Sequence, residues 1–300
     1  MSKLITWVSA ARIRTLPLSF SGIIVGSAMA AEKAAFNPAI FSLAMGTTLG
    51  LQILSNFAND YGDGIKGTDN DERIGPTRAL QSGLISQKEM LVAIVVTAIA
   101  TLVLAVLLIY ASFDSDKWLS ALIFLLLGVA AIVAAIKYTV GNSAYGYRGQ
   151  GDLFVFLFFG LVAVYGSYYL YTHNHEWISF FPAIAIGLLS VAVLNLNNMR
   201  DRISDANAGK NTLVVKMGEQ KAKNYHYTII VGALFFFLIY SAFISRQLND
   251  FIYLVGFIPL ILHLNRVGNN TNPKDLDPEL KVVALSTFAI SILFAIGLVW

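Results

Sequence analysis

Apolar residues in this chain gather in runs of about 18 or more, and polar residues gather between the runs. The runs fall at Leu16–Ala31, Pro38–Asn59, Glu89–Phe113, Trp118–Tyr138, Leu153–Tyr171, Ile178–Asn198, Tyr225–Ile244, Phe251–Val267 and Val282–Trp300. Each is long enough to cross a bilayer as a helix. The pattern predicts an all-α membrane protein, a single polytopic domain of about nine transmembrane helices. Two internal pseudo-repeats are expected, roughly 14–138 and 153–267, followed by a final helix.

The connections alternate in length and charge. Short turns lie around Glu32–Asn37, Asp114–Lys117, Thr172–Trp177 and Ser245–Asp250, whereas Asp60–Lys88, Lys137–Asp152, Met199–Asn224 and Gly268–Lys281 are longer and richer in charge. With the N-terminus and the longer segments on one side, only Lys33, Lys117 and Arg246 of the 21 lysines and arginines fall on the other. That asymmetry assigns the longer segments and the N-terminus to the cytoplasm and the C-terminus to the far side of an inner membrane. Most of the 18 acidic residues share the basic face, which a topological charge bias does not require.

Composition adds exclusions. With 56% hydrophobic and 13% charged residues the chain does not read as soluble domains. It has no cysteine, so disulfides and thiolate metal sites are excluded. A net charge of +3 is no nucleic-acid signature. Arg12 and Arg14 before an apolar run, with Ala28-Met-Ala30 after it, imitate a signal peptide, but Pro17, Ser19 and Ser21 make a poor apolar segment. A retained first span is expected.

The candidate chemistry sits where the second run ends, at Asn56-Phe-Ala-Asn59-Asp60-Tyr-Gly-Asp63, continuing to Lys66, Gly67, Asp69, Arg73 and Arg78. Asn56 and Asp60, like Asn59 and Asp63, are four residues apart, so a continuing helix stacks them on one side. A second copy closes the sixth run: Asn59-x-x-x-Asp63-x-x-x-Gly67 matches Asn197-x-x-x-Asp201-x-x-x-Asp205 at the same offsets. Basic residues follow each copy, Arg73 and Arg78 in one, Lys210 and Lys216 in the other.

Carboxylates crowded at a membrane boundary repel one another and are costly to desolvate, at about 2.5–3.5 kcal/mol each for a charge at a helix centre. Divalent cations in a shared polar cavity, opening to the cytoplasmic side of the bundle, relieve that cost. The expected cofactor is Mg2+, two ions bridged to a substrate diphosphate, with Asp60, Asp63, Asp69, Asp201 and Asp205 as candidate ligands. Ammonium and guanidinium groups suit the remaining phosphate oxygens. The candidates for that role are Arg14, Arg73, Arg78 and Lys210, with Asn59 and Asn197 beside them. An apolar bundle suits a long hydrocarbon tail, each buried CH2 being worth about 0.8 kcal/mol. A polyprenyl diphosphate has both halves. Departure of pyrophosphate then leaves an allylic cation for an electron-rich acceptor.

Paired Asn-x-x-x-Asp clusters on the second and sixth of nine runs resemble the UbiA superfamily of intramembrane prenyltransferases. Three strings resemble its MenA-like branch: Arg14-Thr-Leu-Pro17, Tyr145-Gly-Tyr-Arg148-Gly-Gln-Gly-Asp152, and Leu196-Asn-Asn-Met-Arg-Asp201 with Gly209-Lys-Asn-Thr-Leu213. The resemblance runs from about Arg14 to Leu285. It implies transfer of a polyprenyl group to 1,4-dihydroxy-2-naphthoate with loss of the carboxylate. It also implies catalytic roles for Asp63 and Asp201, functional Lys137 and Tyr138 at the end of the fourth run, and acceptor contact near Tyr147 and Arg148. The superfamily often carries an acid where this chain has Gly67; Asp69 is the natural replacement, and sequence does not rank Asp60, Asp63 and Asp69.

Other readings stay open at several positions. Lys137-Tyr138 equally suits an interfacial anchor, Arg148 and Asp152 a capping pair, and Arg14 an interfacial charge. His173-x-His175 beside Glu176 has a metal-like spacing on a short external turn, and His226 and His263 are expected to be isolated and interfacial. Phe235–Phe237 suits either lipid or core. The alternatives to the naphthoate reaction are another acceptor or tail, such as 4-hydroxybenzoate or phytyl, and a secondary transporter. Against transport, the polar residues cluster at one face rather than at the midplane.

Overall fold

A computed structural model describes residues 2–68, 74, 78–244 and 247–300. Among these residues it contains helices and no strand. In chain order the α-helices are α1 Lys3–Ala11, α2 Leu16–Glu32, α3 Pro38–Lys66, α4 Gln87–Ser112, α5 Trp118–Lys137, α6 Gly151–Val155, α7 Ser167–Thr172, α8 Phe180–Arg200, α9 Arg202–Asn207, α10 Leu213–Met217, α11 Glu219–Ile244, α12 Ile258–Gly268 and α13 Asp277–Val299. A π-helical segment, Phe156–Gly166, joins α6 to α7, and a 3-10 segment, Leu248–Phe257, leads into α12. Among the described residues nine helical stretches are long and apolar enough to span a membrane, as the hydropathy pattern predicts. The protein is all-α and multi-pass.

The boundaries differ from the apolar runs in an instructive way. Helix α3 continues past Asn59 to Lys66, and α11 begins at Glu219 rather than Tyr225. Apolarity marks the part of a helix that lies in hydrocarbon; backbone hydrogen bonding carries the helix on into the polar boundary. Helix α1 is absent from the sequence reading because its apolar residues are too few for a span. It is capped by Ser2, whose hydroxyl accepts from the Ile5 amide, and it stops at Arg12, whose φ of 49° breaks the helical path before α2.

The chain divides into two compact units. The first comprises Met1–Leu16, Ser42–Gly151 and Asp201–Lys216. Its core gathers Ala10, Leu54, Phe57, Ala58, Ile85, Met90 and Ile94, and Trp7 of α1 meets Phe57 of α3 edge-on at 5.4 Å. A capping box of Ser86 and Glu89 starts α4. The outward faces of α4 and α5 present Val92, Val95, Val96, Ile99, Leu119, Ile123 and Leu126, the apolar dress of helices that meet lipid.

The second unit comprises Pro17–Phe41, Asp152–Arg200 and Met217–Trp300. Phe237 is fully buried against Tyr253, Phe257 and Phe294, whereas Phe235 is exposed, so the Phe235–Phe237 run serves both core and lipid faces. The expectation for His226 and His263 is corrected: both are fully buried, and their Nε2 atoms lie 2.8 Å apart. His226 Nδ1 is 3.3 Å from Asn195 Nδ2, His263 Nδ1 is 2.5 Å from Glu279, and Arg266 donates to the same carboxylate at 2.6 Å. Residues 37 positions apart in sequence look isolated in one dimension, but α11 and α12 lie side by side.

The π-helical segment crosses α8 at very close range. A Cβ on Gly160 would lie 2.6 Å from the Ala183 carbonyl oxygen and 2.8 Å from the Gly187 Cα. Close approach through small residues is how helices gain packing energy where lipid removes the hydrophobic drive. Gly160→Val is therefore expected to destabilise the protein by about 1–3 kcal/mol through overpacking. Thermal unfolding in detergent measures this, and an unchanged midpoint would contradict the packing described.

Candidate functional site

The first acidic stretch is helical to its end, so its side chains project at fixed angles until Gly67, at φ 69°, terminates α3. Each polar group then meets a different partner. Asn56 Nδ2 donates to the Ala11 carbonyl at 2.9 Å, tying α3 to α1. Asp60, 1% exposed, pairs with Arg12, with Arg78 Nη1 at 3.4 Å and with the Ala79 amide at 3.4 Å. Asn59 Oδ1 lies 3.4 Å from the Thr139 hydroxyl, which also donates to the Ala58 carbonyl at 2.9 Å. Asp63, one turn beyond Asp60 and also buried, accepts from the Tyr147 hydroxyl at 2.8 Å.

Tyr147 is the hinge pin of this cluster. Its hydroxyl is 2.5 Å from Thr68 Oγ1, its ring lies under the Lys66 ammonium at 3.9 Å, and its carbonyl accepts from the Asn211 amide at 3.1 Å. Burial, reinforced by the charge of Asp63, raises the Tyr147 phenol above its ordinary range, so it stays protonated and donates. Lys66 also reaches the Thr139 carbonyl at 2.7 Å, which fixes the end of α3 against the segment that follows α5.

The second acidic stretch folds into the same unit. Asp201 precedes the short α9, and the Asp205 amide donates to the Asp201 carbonyl at 2.8 Å. Gly209, at φ 72°, then turns the chain back so that the Lys210 amide reaches the Asp205 carbonyl at 2.8 Å. The Lys210 ammonium arrives between the two stretches, 3.9 Å from Asp63 Oδ2 and 3.8 Å from Asp205 Oδ1. Burial alone would lower its pKa, but Asp63, Asp205, Tyr147 and Asp201 outweigh burial and hold it above the ordinary lysine value. The charged form is favoured there. Asp63, Asp201, Asp205 and Lys210 thus share one neighbourhood, where the sequence placed them in two stretches far apart.

The remaining candidates fall around this centre. Arg14 is exposed and, with Arg12, Asp60 and Arg78, lines a cavity of about 270 Å³. Lys137 is exposed at the end of α5, and Tyr138 meets Tyr145 edge-on at 5.3 Å. The Arg148 side chain is exposed, and its carbonyl accepts from Lys216 Nζ at 2.6 Å. Asn197, on the last turn of α8 in the second unit, accepts from Arg200 Nη2 at 2.9 Å. Asp69 and Arg73 lie outside the described residues. Sequence reasoning placed Lys66 in the candidate stretch without a role and read Arg12 only as a charge ahead of the first span, so it assigned neither to the site. The i, i+3 spacing of Asp63 and Lys66 carried the signal, given a helix that runs on to Lys66.

Among the described residues no three His, Asp or Glu side chains converge closely enough to hold a cation unaided. The donor chemistry nonetheless suits Mg2+, because Asp63, Asp201 and Asp205 offer hard carboxylate oxygens and a second ligand's phosphate oxygens complete such a shell. Asp60, engaged by two arginines, stands apart from that group in its contacts.

The profile of the UbiA prenyltransferase family matches residues 19–297. The 1,4-dihydroxy-2-naphthoate octaprenyltransferase of Haemophilus influenzae is 42% identical over 298 residues, covering 99% of this chain and 96% of that protein. The enzyme of the same name from Escherichia coli is 40% identical with the same coverage. Among solved structures, the apo UbiA homologue of Aeropyrum pernix K1 superposes with a TM-score of 0.70 at 15% identity, covering 95% of this chain and 97% of that one. A UbiA homologue of Archaeoglobus fulgidus bound to DMAPP and Mg2+ superposes with a TM-score of 0.62 at 13% identity, covering 99% and 100%. At these identities the structures speak for the fold.

The ion pairs of Asp60 make a direct prediction. Asp60→Asn leaves two guanidinium groups short of their buried counter-charge and is expected to cost about 3 kcal/mol of stability. The same thermal assay reads it, and a wild-type midpoint would show that the pairs carry no structural weight.

Proposed function

The chain belongs to the UbiA prenyltransferase family, and from that premise we propose that it transfers a polyprenyl group from its diphosphate to 1,4-dihydroxy-2-naphthoate. The carboxylate is lost as CO2 and the product is a demethylmenaquinol. The observation that carries the reading is the meeting of Asp63 and Asp205 at Lys210. Relatives at 40–42% identity over nearly the whole chain bear the naphthoate enzyme's name, which favours this acceptor over 4-hydroxybenzoate. Their name also specifies an octaprenyl chain, the tail length we adopt.

In this reading Asp63, Asp201 and Asp205 would hold Mg2+, expected as two ions taken up with the diphosphate, and Asp69 is a further candidate. When bound, the metal supplies Lewis-acid stabilisation of the departing pyrophosphate. Tyr147 keeps Asp63 aimed by donating a hydrogen bond to it. Lys210 and the arginines Arg14, Arg73 and Arg78 provide positive charge for phosphate oxygens as the C–O bond breaks. The naphthoate ring attacks the allylic cation, and Tyr138, Lys137 and Arg148 are its candidate contacts. The bilayer-spanning helices take the tail, the longer basic connections face the cytoplasm, and the pseudo-repeats bring one acidic copy each.

Three measurements test this. Purified protein with Mg2+, octaprenyl diphosphate and the naphthoate is expected to release pyrophosphate and yield product of the decarboxylated, prenylated mass; activity with 4-hydroxybenzoate alone would reject the acceptor. EDTA is expected to abolish turnover and Mg2+ to restore it, so chelator-resistant turnover would remove the metal from the mechanism. Asp63→Asn and Asp201→Asn are each expected to lower kcat by about a hundredfold or more while the protein inserts normally; wild-type rates in either would count against the site.

A further inference from the structure

Lys210 stands in the position that a cation bridging the two acidic stretches has to occupy. Its ammonium lies 3.9 Å from Asp63 and 3.8 Å from Asp205, and Asp201 adds its field. Its side chain is only 11% exposed. Both distances exceed hydrogen-bond length, so neither carboxylate grips the ammonium by a short contact. The backbone, by contrast, is fixed, with the Lys210 amide on the Asp205 carbonyl and Gly209 in the left-handed turn that permits it. A fixed base bearing a loosely held charged tip on a four-carbon stem is suited to movement of the tip alone.

We propose that Lys210 is a built-in counter-cation that makes the site refuse free divalent metal and admit it only together with a diphosphate. The inference rests on the metal-dependent prenyl transfer of the preceding section. In the substrate-free protein the ammonium neutralises Asp63 and Asp205 and repels an incoming Mg2+ from the same carboxylates. A diphosphate brings the negative charge that draws the ammonium off the acids, which frees them for the metal. Metal and prenyl diphosphate therefore enter as one unit. Lys210 sets that order in addition to contacting phosphate.

The test is binding of Mn2+ alone to the full-length protein in nanodiscs, read by electron paramagnetic resonance with no substrate present. Removing one positive charge a few ångströms from the site is expected to tighten Mn2+ binding about tenfold or more in Lys210→Met, and Lys210→Arg is expected to bind as wild type does. The KM for prenyl diphosphate rises in Lys210→Met. Equal or weaker Mn2+ binding by Lys210→Met overturns the proposal. If that variant does not purify, wild-type protein answers through reductive methylation of Lys210 followed by peptide mass spectrometry. Mn2+ together with inorganic pyrophosphate is expected to speed labelling several-fold by drawing the ammonium off the acids, whereas Mn2+ alone leaves the rate unchanged; the same rate in both conditions overturns the proposal. Wild-type protein lacking Mg2+-dependent prenyl transfer would instead sink the functional reading, so the two failures are separable.

Discussion

A carboxylate removed from water at the edge of a membrane has to meet a positive charge, and the first unit is arranged around that requirement. It solves the problem twice within one helical turn. Asp60 is matched by guanidinium groups from Arg12 and Arg78. Asp63 is matched by the ammonium of Lys210, reinforced by a phenol. The two solutions differ in permanence. Planar guanidinium forks around a nearly inaccessible acid make a fixed joint, whereas an ammonium nearly 4 Å from its partners is an adjustable one. The fixed joint fastens α1 and the segment after α3 to the helix; the adjustable one lies at the proposed diphosphate site.

Much of this was legible in the chain before any coordinates. The number of spans follows from hydropathy, because lipid forces long apolar helices. The offsets Asn59-x-x-x-Asp63 and Asn197-x-x-x-Asp201-x-x-x-Asp205 marked the two stretches from which Asp63 and Asp205 approach Lys210. What stayed hidden depended on knowing where α3 ends. Read as stopping at Asn59, it leaves Asp60, Asp63 and Lys66 in a loop of no fixed direction. Running to Lys66, it sends Asp60 toward Arg12, Asp63 toward Tyr147 and Lys66 over the Tyr147 ring. One partner of Asp60, Arg12, lies 48 residues earlier, at the end of the short helix α1, so no local pattern reveals it.

The π-helical segment was equally invisible. Its residues Phe156–Gly166 read as an ordinary apolar run, and the close approach of Gly160 to Gly187 within it is a contact between distant residues that no hydropathy window reveals. In the second unit the buried polar residues escaped notice because hydropathy averages over a window. A histidine in an apolar stretch lowers the average slightly and says nothing of the other histidine it touches.

That histidine pair has a direction. Glu279, as an anion, only accepts, so the proton on His263 sits at Nδ1 and its Nε2 is left as a lone pair. His226 then has to donate from Nε2, which makes its own Nδ1 the acceptor for the Asn195 amide. Three hydrogen bonds across four helices, α8, α11, α12 and α13, therefore all point the same way, and each ring is confined to a single tautomer with no extra proton. The carboxylate end cannot donate, so none of the arrows can reverse, and the sliding of one of these helices past its neighbours is opposed by the whole sequence of bonds at once.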